Sequence, residues 1–383
     1  MRVVFASLDP GVPVFGGKGC SVHAQEVLRV LLGAGHDVHV VTTRPGGTPP
    51  PDLAAVTVHP VALPAATGRA RREADLVEAD GRLGRVVAGL LAGAPGALLY
   101  ERYALFGCAA QESARRLGVP SVLEVNAPLP LEQREHRGLD DVAGADDRTR
   151  RALTAAGRVV AVSSAVAGWV RATAPAPDVL VVPNGVDTDR FVPRPRTPDG
   201  RLRVAFVGGF RPWHGVELLV EAVGALPGAG ARGEVELLLV GDGPRRAAVL
   251  DRAAQLGVAV GAPGAVDPAA VPGLLAGADV AVAPYPVGAR YFSPLKVAEY
   301  LAAGVATVAA AVGDLATTYR DGTELLLVPA GDPGALTAAL HRLHASPGLR
   351  RDLAAAGRRA VCERGTWARV VDRSLAGLGA VAA

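Results

Sequence analysis

The chain has 383 residues, too many for one ordinary hydrophobic core and suited to two domains of roughly 190 residues each. Half of it is hydrophobic, yet no stretch approaches the roughly 18 to 20 unbroken apolar residues of a membrane span, so a soluble protein is expected. A net charge of +3 and an aromatic content of 4% give neither the electrostatic footprint nor the stacking platforms of a nucleic-acid binder. Cys20, Cys108 and Cys362 are scattered and odd in number, which fits free thiols. The start, Met1 to Ser7, lacks the apolar core of a signal peptide, so the expected location is cytoplasmic.

Short apolar runs alternate with longer, alanine-rich segments of helical period from end to end, the mark of parallel α/β architecture. The first unit reads as a strand from Val3 to Leu8, a glycine-rich loop from Pro10 to Gly19, a helix from Ser21 to Leu32 and a strand from Asp37 to Thr42. Further strands are expected at Val56 to Pro60, Ala97 to Tyr100, Ser121 to Val125 and Arg158 to Val162. The basic clusters Arg69 to Arg72 and Arg148 to Arg151 have two readings: contact with an anionic membrane surface, or solvated helix faces in an arginine-rich chain. Composition favours the second. After Val179 to Pro183 come a tight turn, Asn184 to Asp187, and a polar, proline-rich stretch from Pro193 to Gly200, where the interdomain linker is placed. A second series restarts at Arg203, with strands at Arg203 to Val207, Glu236 to Val240, Val258 to Val260, Asp279 to Pro284, Val305 to Ala310 and Leu325 to Val328. Domains are therefore expected at 1–192 and 201–365, with a helix over 366–383 crossing back to the first.

In an open α/β sheet, ligands bind beyond the carboxyl ends of strands. The segment Ser293 to Gly304 is the most informative of these places. Ser293 is a good N-cap, Pro294 suits the first helical position, and Gly304 suits a left-handed stop. Lys296 and Glu299 then share a face, the cation and the amides near Leu295 placed for a phosphate and the carboxylate for a ribose hydroxyl. Gly16 and Gly17 let the backbone approach an anion closely beside Lys18, although neither a dinucleotide fingerprint nor a Walker loop is present. In Gly208 to Gly215, Arg211 offers a planar donor fork for a diphosphate and His214 a hydrogen bond or partial charge. Glu101 and Asn126 are read as lying just past strands, available to a polar acceptor, against the alternative of a structural Glu101–Arg102 pair and a turn asparagine.

Taken in order, these segments resemble the family-4 retaining glycosyltransferases of the GT-B fold, also known as glycosyl transferases group 1. The resemblance is carried by the Gly16-Gly17 loop, Val182 to Asp187, Gly208 to Gly215, Gly241-Asp242-Gly243-Pro244 and Ser293 to Gly304. It implies two doubly wound Rossmann-like domains facing across a cleft, the second holding a nucleotide-diphosphate sugar and the first a hydroxyl acceptor. It implies transfer with retention of anomeric configuration, with Arg211, Lys296, Asn126 and Glu101 at the reaction. Gly16, Gly17, Gly209, His214, Ser293, Leu295 and Glu299 would hold the donor.

Four positions depart from the family pattern: Gly209 stands where arginine is expected, His214 where lysine is expected, Tyr291 where the first glutamate is expected, and Asn126, which cannot act as a general base, where many members carry a histidine. Arg211 and His214 are read as stand-ins. No cofactor beyond the donor substrate and no metal is expected, since no His/Asp cluster has ligand spacing. The expected partners are a nucleotide sugar and a small or carrier-linked glycan acceptor, without nucleic acid. A sugar-nucleotide epimerase of related architecture is the alternative, and a two-lobed solute-binding protein a weaker one.

Overall fold

Two parallel sheets form in the computed structural model, which describes residues 1–175, 178–194, 200–229, 234–288 and 294–378. The first contains β1 (Arg2–Ser7), β2 (Asp37–Thr42), β3 (Thr57–Pro60), β4 (Leu98–Arg102), β5 (Ser121–Val125), β6 (Arg158–Ala161) and β7 (Val179–Val181), in the order β3-β2-β1-β4-β5-β6-β7. The second contains β8 (Leu202–Val207), β9 (Val235–Val240), β10 (Ala259–Gly264), β11 (Val280–Ala283), β12 (Ala306–Ala310) and β13 (Leu326–Val328), in the order β10-β9-β8-β11-β12-β13. Sheets covered by helices on both faces need strands that are apolar throughout, and Val3 to Ala6 and Val280 to Ala283 are accordingly buried at every position. In both sheets the chain order reverses beside the first strand, at β1 and at β8. The loops after those two strands therefore open where a ligand has room.

The chain divides into Met1–Asn184 with Trp367–Ala383, and Gly185–Arg290 with Pro294–Thr366. The first unit takes back the last helix, Trp367–Leu375, because the Trp367 ring packs tilted against His23 with centroids 4.8 Å apart and Arg158 donates to the Ser374 carbonyl at 3.1 Å. An arginine on the terminal carbonyls of a helix also complements its dipole. Residues from Gly185 belong to the second unit although they precede the polar stretch: Val186 N–H reaches the Gly365 carbonyl at 2.9 Å and Arg358 donates to the Thr188 carbonyl at 2.9 Å. Among the described residues no helix is long and apolar enough to cross a membrane.

Strand positions follow the sequence reading to within a few residues, with one consequential difference. β4 continues beyond Tyr100 to Arg102, so Glu101 lies inside the sheet, registered between Ala6 of β1 and Leu123 of β5. The expectation that Glu101 projects past a strand end is corrected accordingly: it is 2% exposed. Burial, reinforced by the charge of Asp80, lifts its carboxyl to about 8, and a protonated acid is how the sheet accommodates it. In the second unit the loops after β8 and β9 interlock. Gly208 N–H donates to the Val240 carbonyl at 2.9 Å, and a Cβ at Gly241, whose φ is 127°, would stand 2.0 Å from the Gly208 oxygen.

Two expectations follow. Because native Glu101 holds its proton above the unfolded value of 4.5, wild-type stability should fall as pH rises from there to about 8 and then level off. Glu101→Gln should erase that slope in urea melts taken across the range; an unchanged slope refutes the assignment. Gly241→Ala should cost about 1–3 kcal/mol in thermal unfolding. Gly261→Ala, whose Cβ would meet Leu238 at an ordinary 3.6 Å, should cost less.

Candidate functional site

The second unit builds its site from the ends of β8 and β11 and the start of the helix Leu295–Ala302. That helix begins one residue later than expected, since Pro294 stays extended at ψ 108° and serves as the N-cap without a side-chain bond. The helix N-terminus is thereby left uncapped, with the Leu295 and Lys296 amides lacking intrahelical acceptors. Gly304 ends it at φ 67°. Tyr300, one turn on, accepts from Val207 N–H at 2.9 Å and donates back to the Val207 carbonyl at 3.3 Å, which fixes the helix against the end of β8. Ser293 and Tyr291 lie outside the described residues.

Lys296 is half-buried as a residue, but its ammonium is sealed from solvent and has no hydrogen-bond partner among the described residues. It sits 4.4 Å from the Phe206 ring centroid and 5.5 Å from that of Tyr285. A Cβ on Gly208 would come 2.7 Å from Nζ, so a side chain there would require the ammonium to shift. Burial pulls the Lys296 ammonium down to about 7, against an upward pull from the nearby Glu299 carboxylate. Arg211 is exposed, with its guanidinium 6.0 Å from the Trp213 ring centroid.

His214 differs from expectation. Its Nδ1–H is given to the Gly209 carbonyl, which locks the loop and leaves Nε2 as a lone-pair acceptor. Burial, then the positive charge of Lys296, hold it down at about 4, so it is neutral at physiological pH rather than a substitute cation.

The first unit gathers a different cluster around Glu124 of β5. His23 Nε2 and Tyr100 hydroxyl each lie 2.8 Å from Glu124 Oε1, while Asn126 donates to Oε2 at 3.1 Å and Arg102 approaches it at 3.6 Å. Burial pushes Glu124 upward, but His23, Arg102 and Tyr100 outweigh it and leave the carboxyl at about 2. Asn126 is half-buried at the end of β5, oriented by this carboxylate. In the loop after β1, Gly16 N–H is committed to the Pro13 carbonyl at 3.1 Å, and Gln25 braces the loop through the Val14 and Gly16 carbonyls. Of the two glycines expected at an anion, Gly17 is the exposed one.

Lys296, Glu299, Leu295, Gly209, Arg211 and His214 thus belong to one unit, and Asn126, Glu101, Gly16 and Gly17 to the other. Sequence reading missed His23, Tyr100, Tyr285 and Tyr300. Only His23 carried a signal, as a histidine early in the helix that follows a glycine-rich loop.

Comparison with known proteins agrees with this arrangement. Residues 201–346 match the family described as Glycosyl transferases group 1, and residues 17–190 match Glycosyltransferase Family 4. The chain is 37% identical over 224 residues to the D-inositol 3-phosphate glycosyltransferase of Geodermatophilus obscurus, covering 53% of this chain and 47% of that protein, about half of the relative's length. It is 30% identical over 411 residues to the D-inositol 3-phosphate glycosyltransferase of Stackebrandtia nassauensis, covering 97% of this chain and 88% of that protein. HepE of Anabaena, solved in complex with UDP, shares the fold with a TM-score of 0.72 at 16% identity over 100% of both chains. With two parallel Rossmann-like sheets and matches along both halves, the chain belongs to the group 1, family 4 glycosyltransferases of the GT-B fold.

Proposed function

We propose that the protein transfers a sugar from a nucleotide-diphosphate sugar to a hydroxyl acceptor, with retention of anomeric configuration and without a metal ion. The observation that carries this reading is the sealed Lys296 ammonium, a buried cation with no hydrogen-bond partner among the described residues. Such a charge costs several kcal/mol, roughly, unless an anion meets it. A diphosphate at the uncapped helix start supplies that anion, with Arg211 and the Leu295 and Gly209 amides as further donors. Glu299 is assigned to the ribose. The relatives named above, and the UDP held by HepE, support a nucleotide donor.

In this reaction the bond from the anomeric carbon to the leaving phosphate breaks, and negative charge grows on the diphosphate where the cations lie. The acceptor oxygen bonds to that carbon and its proton passes to a leaving phosphate oxygen. Three polar side chains of the first unit are poorly suited to take it: Asn126 has no basic atom, Glu101 is buried and protonated, and His23 is 3% exposed and held by Glu124. That supports retention through front-face attack. Among the described residues no three His, Cys, Asp or Glu side chains gather as metal ligands. The epimerase alternative needs acid–base groups flanking the sugar, and no observation favours it.

Nucleoside diphosphate release should therefore require both a nucleotide sugar and an acceptor, and should persist in excess EDTA. The product should carry the donor's anomeric configuration by NMR. Lys296→Ala should lower turnover by about 100-fold or more with a native-like circular dichroism spectrum. Near-normal turnover would dismiss the site. Donor binding should also be proton-linked: the diphosphate restores a Lys296 proton that the free protein loses near 7, so affinity for UDP-glucose, GDP-mannose or whichever donor binds should fall as pH rises above that value. Calorimetry at pH 8 in buffers of different ionisation enthalpy should show proton uptake, absent in Lys296→Met.

A further inference from the structure

The loop after β8 contains a single helical turn, Pro212–His214, that sends its histidine and its tryptophan in opposite directions. His214 faces inward, its ring centroid 6.1 Å from that of Phe206 and 6.4 Å from that of Tyr285, and its Nδ1–H is held by the Gly209 carbonyl. Gly215 closes the turn at φ 66°, and a Cβ there would run into the Pro284 oxygen, so the backbone is fixed at both ends. Trp213 faces outward at 46% exposure and is the one aromatic among the exposed large hydrophobic side chains of the described residues. An indole left in water forgoes a large apolar burial.

Arg211 gives the indole a use. Its guanidinium carbon lies over the ring, 6.0 Å from the centroid, within the reach of a cation–π contact. The arginine is exposed and makes no side-chain hydrogen bond or ion pair among the described residues. A long exposed side chain spreads over many rotamers, and a guanidinium fork pairs with two phosphate oxygens only when its plane is presented to them. Ordering the fork before the ligand arrives removes part of the entropic cost of binding. The turn makes the indole a firm support, since its neighbours are Pro212, whose φ is set by its ring, and His214, anchored to Gly209.

We propose that Trp213 is a positioning residue for the donor, its ring face holding the Arg211 guanidinium in the orientation that meets the diphosphate. Arg211 makes the charged contact, and Trp213 acts only through it. The inference rests on the donor reading given above and adds to it a residue that does not itself touch the nucleotide. Trp169 and Trp367, the other tryptophans of the chain, belong to the first unit, so Trp213 is the single indole of the second.

Calorimetric titration of the full chain with UDP, GDP and ADP identifies the nucleoside diphosphate that binds, and that probe is carried through Trp213→Leu, Trp213→Phe, Arg211→Ala and the Trp213→Leu, Arg211→Ala double variant. Leucine keeps apolar bulk and removes the π face. Trp213→Leu should weaken binding about two- to fivefold, the range of an exposed cation–π contact. Trp213→Phe should recover most of that loss, and thermal unfolding should be unchanged in both. In the Arg211→Ala background the leucine replacement should leave affinity unchanged within the error of the titration, because nothing remains to be positioned. Without ligand, Arg211→Ala should make the Trp213 fluorescence, taken as the component that Trp213→Leu removes, more accessible to acrylamide; unchanged quenching overturns the contact on which the role stands. Wild-type affinity in Trp213→Leu, or a loss that persists in full without Arg211, overturns the positioning role and leaves the donor site standing, the second result meaning that the indole meets the nucleotide itself. Binding of none of the three probes, or binding that Arg211→Ala leaves untouched, overturns the role together with the place of Arg211 in the donor reading.

Discussion

A buried ammonium with no hydrogen-bond partner among the described residues governs the second unit. Lys296 is held in place by geometry chosen elsewhere: Tyr300 ties its helix to the end of β8, Gly208 leaves space for Nζ, and Phe206 and Tyr285 present ring faces. Ring faces contribute about 0.5–2 kcal/mol to a cation, whereas burying an unpaired charge costs several kcal/mol, roughly. The balance is unfavourable in the free protein, and its depressed proton affinity reports that deficit. Interactions realised only when a diphosphate arrives are the kind that favour binding and, as charge builds on the leaving group, reaction.

Three buried ionisable groups in this chain show three ways to handle such a cost. Glu124 stays charged because His23, Tyr100, Asn126 and Arg102 surround it, a structural solution in which removal of one partner leaves the others unpaired. Glu101, buried beside the charge of Asp80, avoids the cost by holding its proton. Lys296 does neither fully. Satisfaction and neutralisation are what a fold needs for itself, and an incomplete solution is what a ligand completes.

The sheets were legible because parallel strands buried on both faces read as continuous apolar runs, and the glycine-rich breaks between them read as loops. The helix from Leu295 was legible from Pro294 and Gly304, down to its left-handed stop. What stayed hidden depended on contacts between distant residues. His23 and Glu124 are 101 positions apart, and nothing local announces their meeting. Glu101 looked like a strand end because a carboxylate breaks an apolar run, yet pairing with Ala6 and Leu123 carries the ladder through it. Gly185 to Val192 read as the end of the first domain, whereas bonds from Val186 to the Gly365 carbonyl and from Arg358 to the Thr188 carbonyl group them with the second unit.

The loop after β8 shows how a departure from a family pattern is absorbed. A side chain at Gly209 would meet only ordinary contacts, 3.7 Å from Arg211 Cγ, Asp242 O and His214 Cε1, so steric exclusion does not explain the missing arginine. The Arg211 Cγ lies 3.7 Å from that position, while its guanidinium sits 6.0 Å from the Trp213 ring centroid. The lysine position is not replaced in kind, because His214 spends its proton on the Gly209 carbonyl and is neutral at physiological pH. The cradle therefore keeps one permanent cation, Arg211, and one conditional cation, Lys296, with His214 as the brace that shapes the loop between them. On the proposed donor reading, a diphosphate would raise the proton affinity of Lys296 on arrival, so this variant of the loop would draw part of its positive charge from solution instead of storing it in the fold.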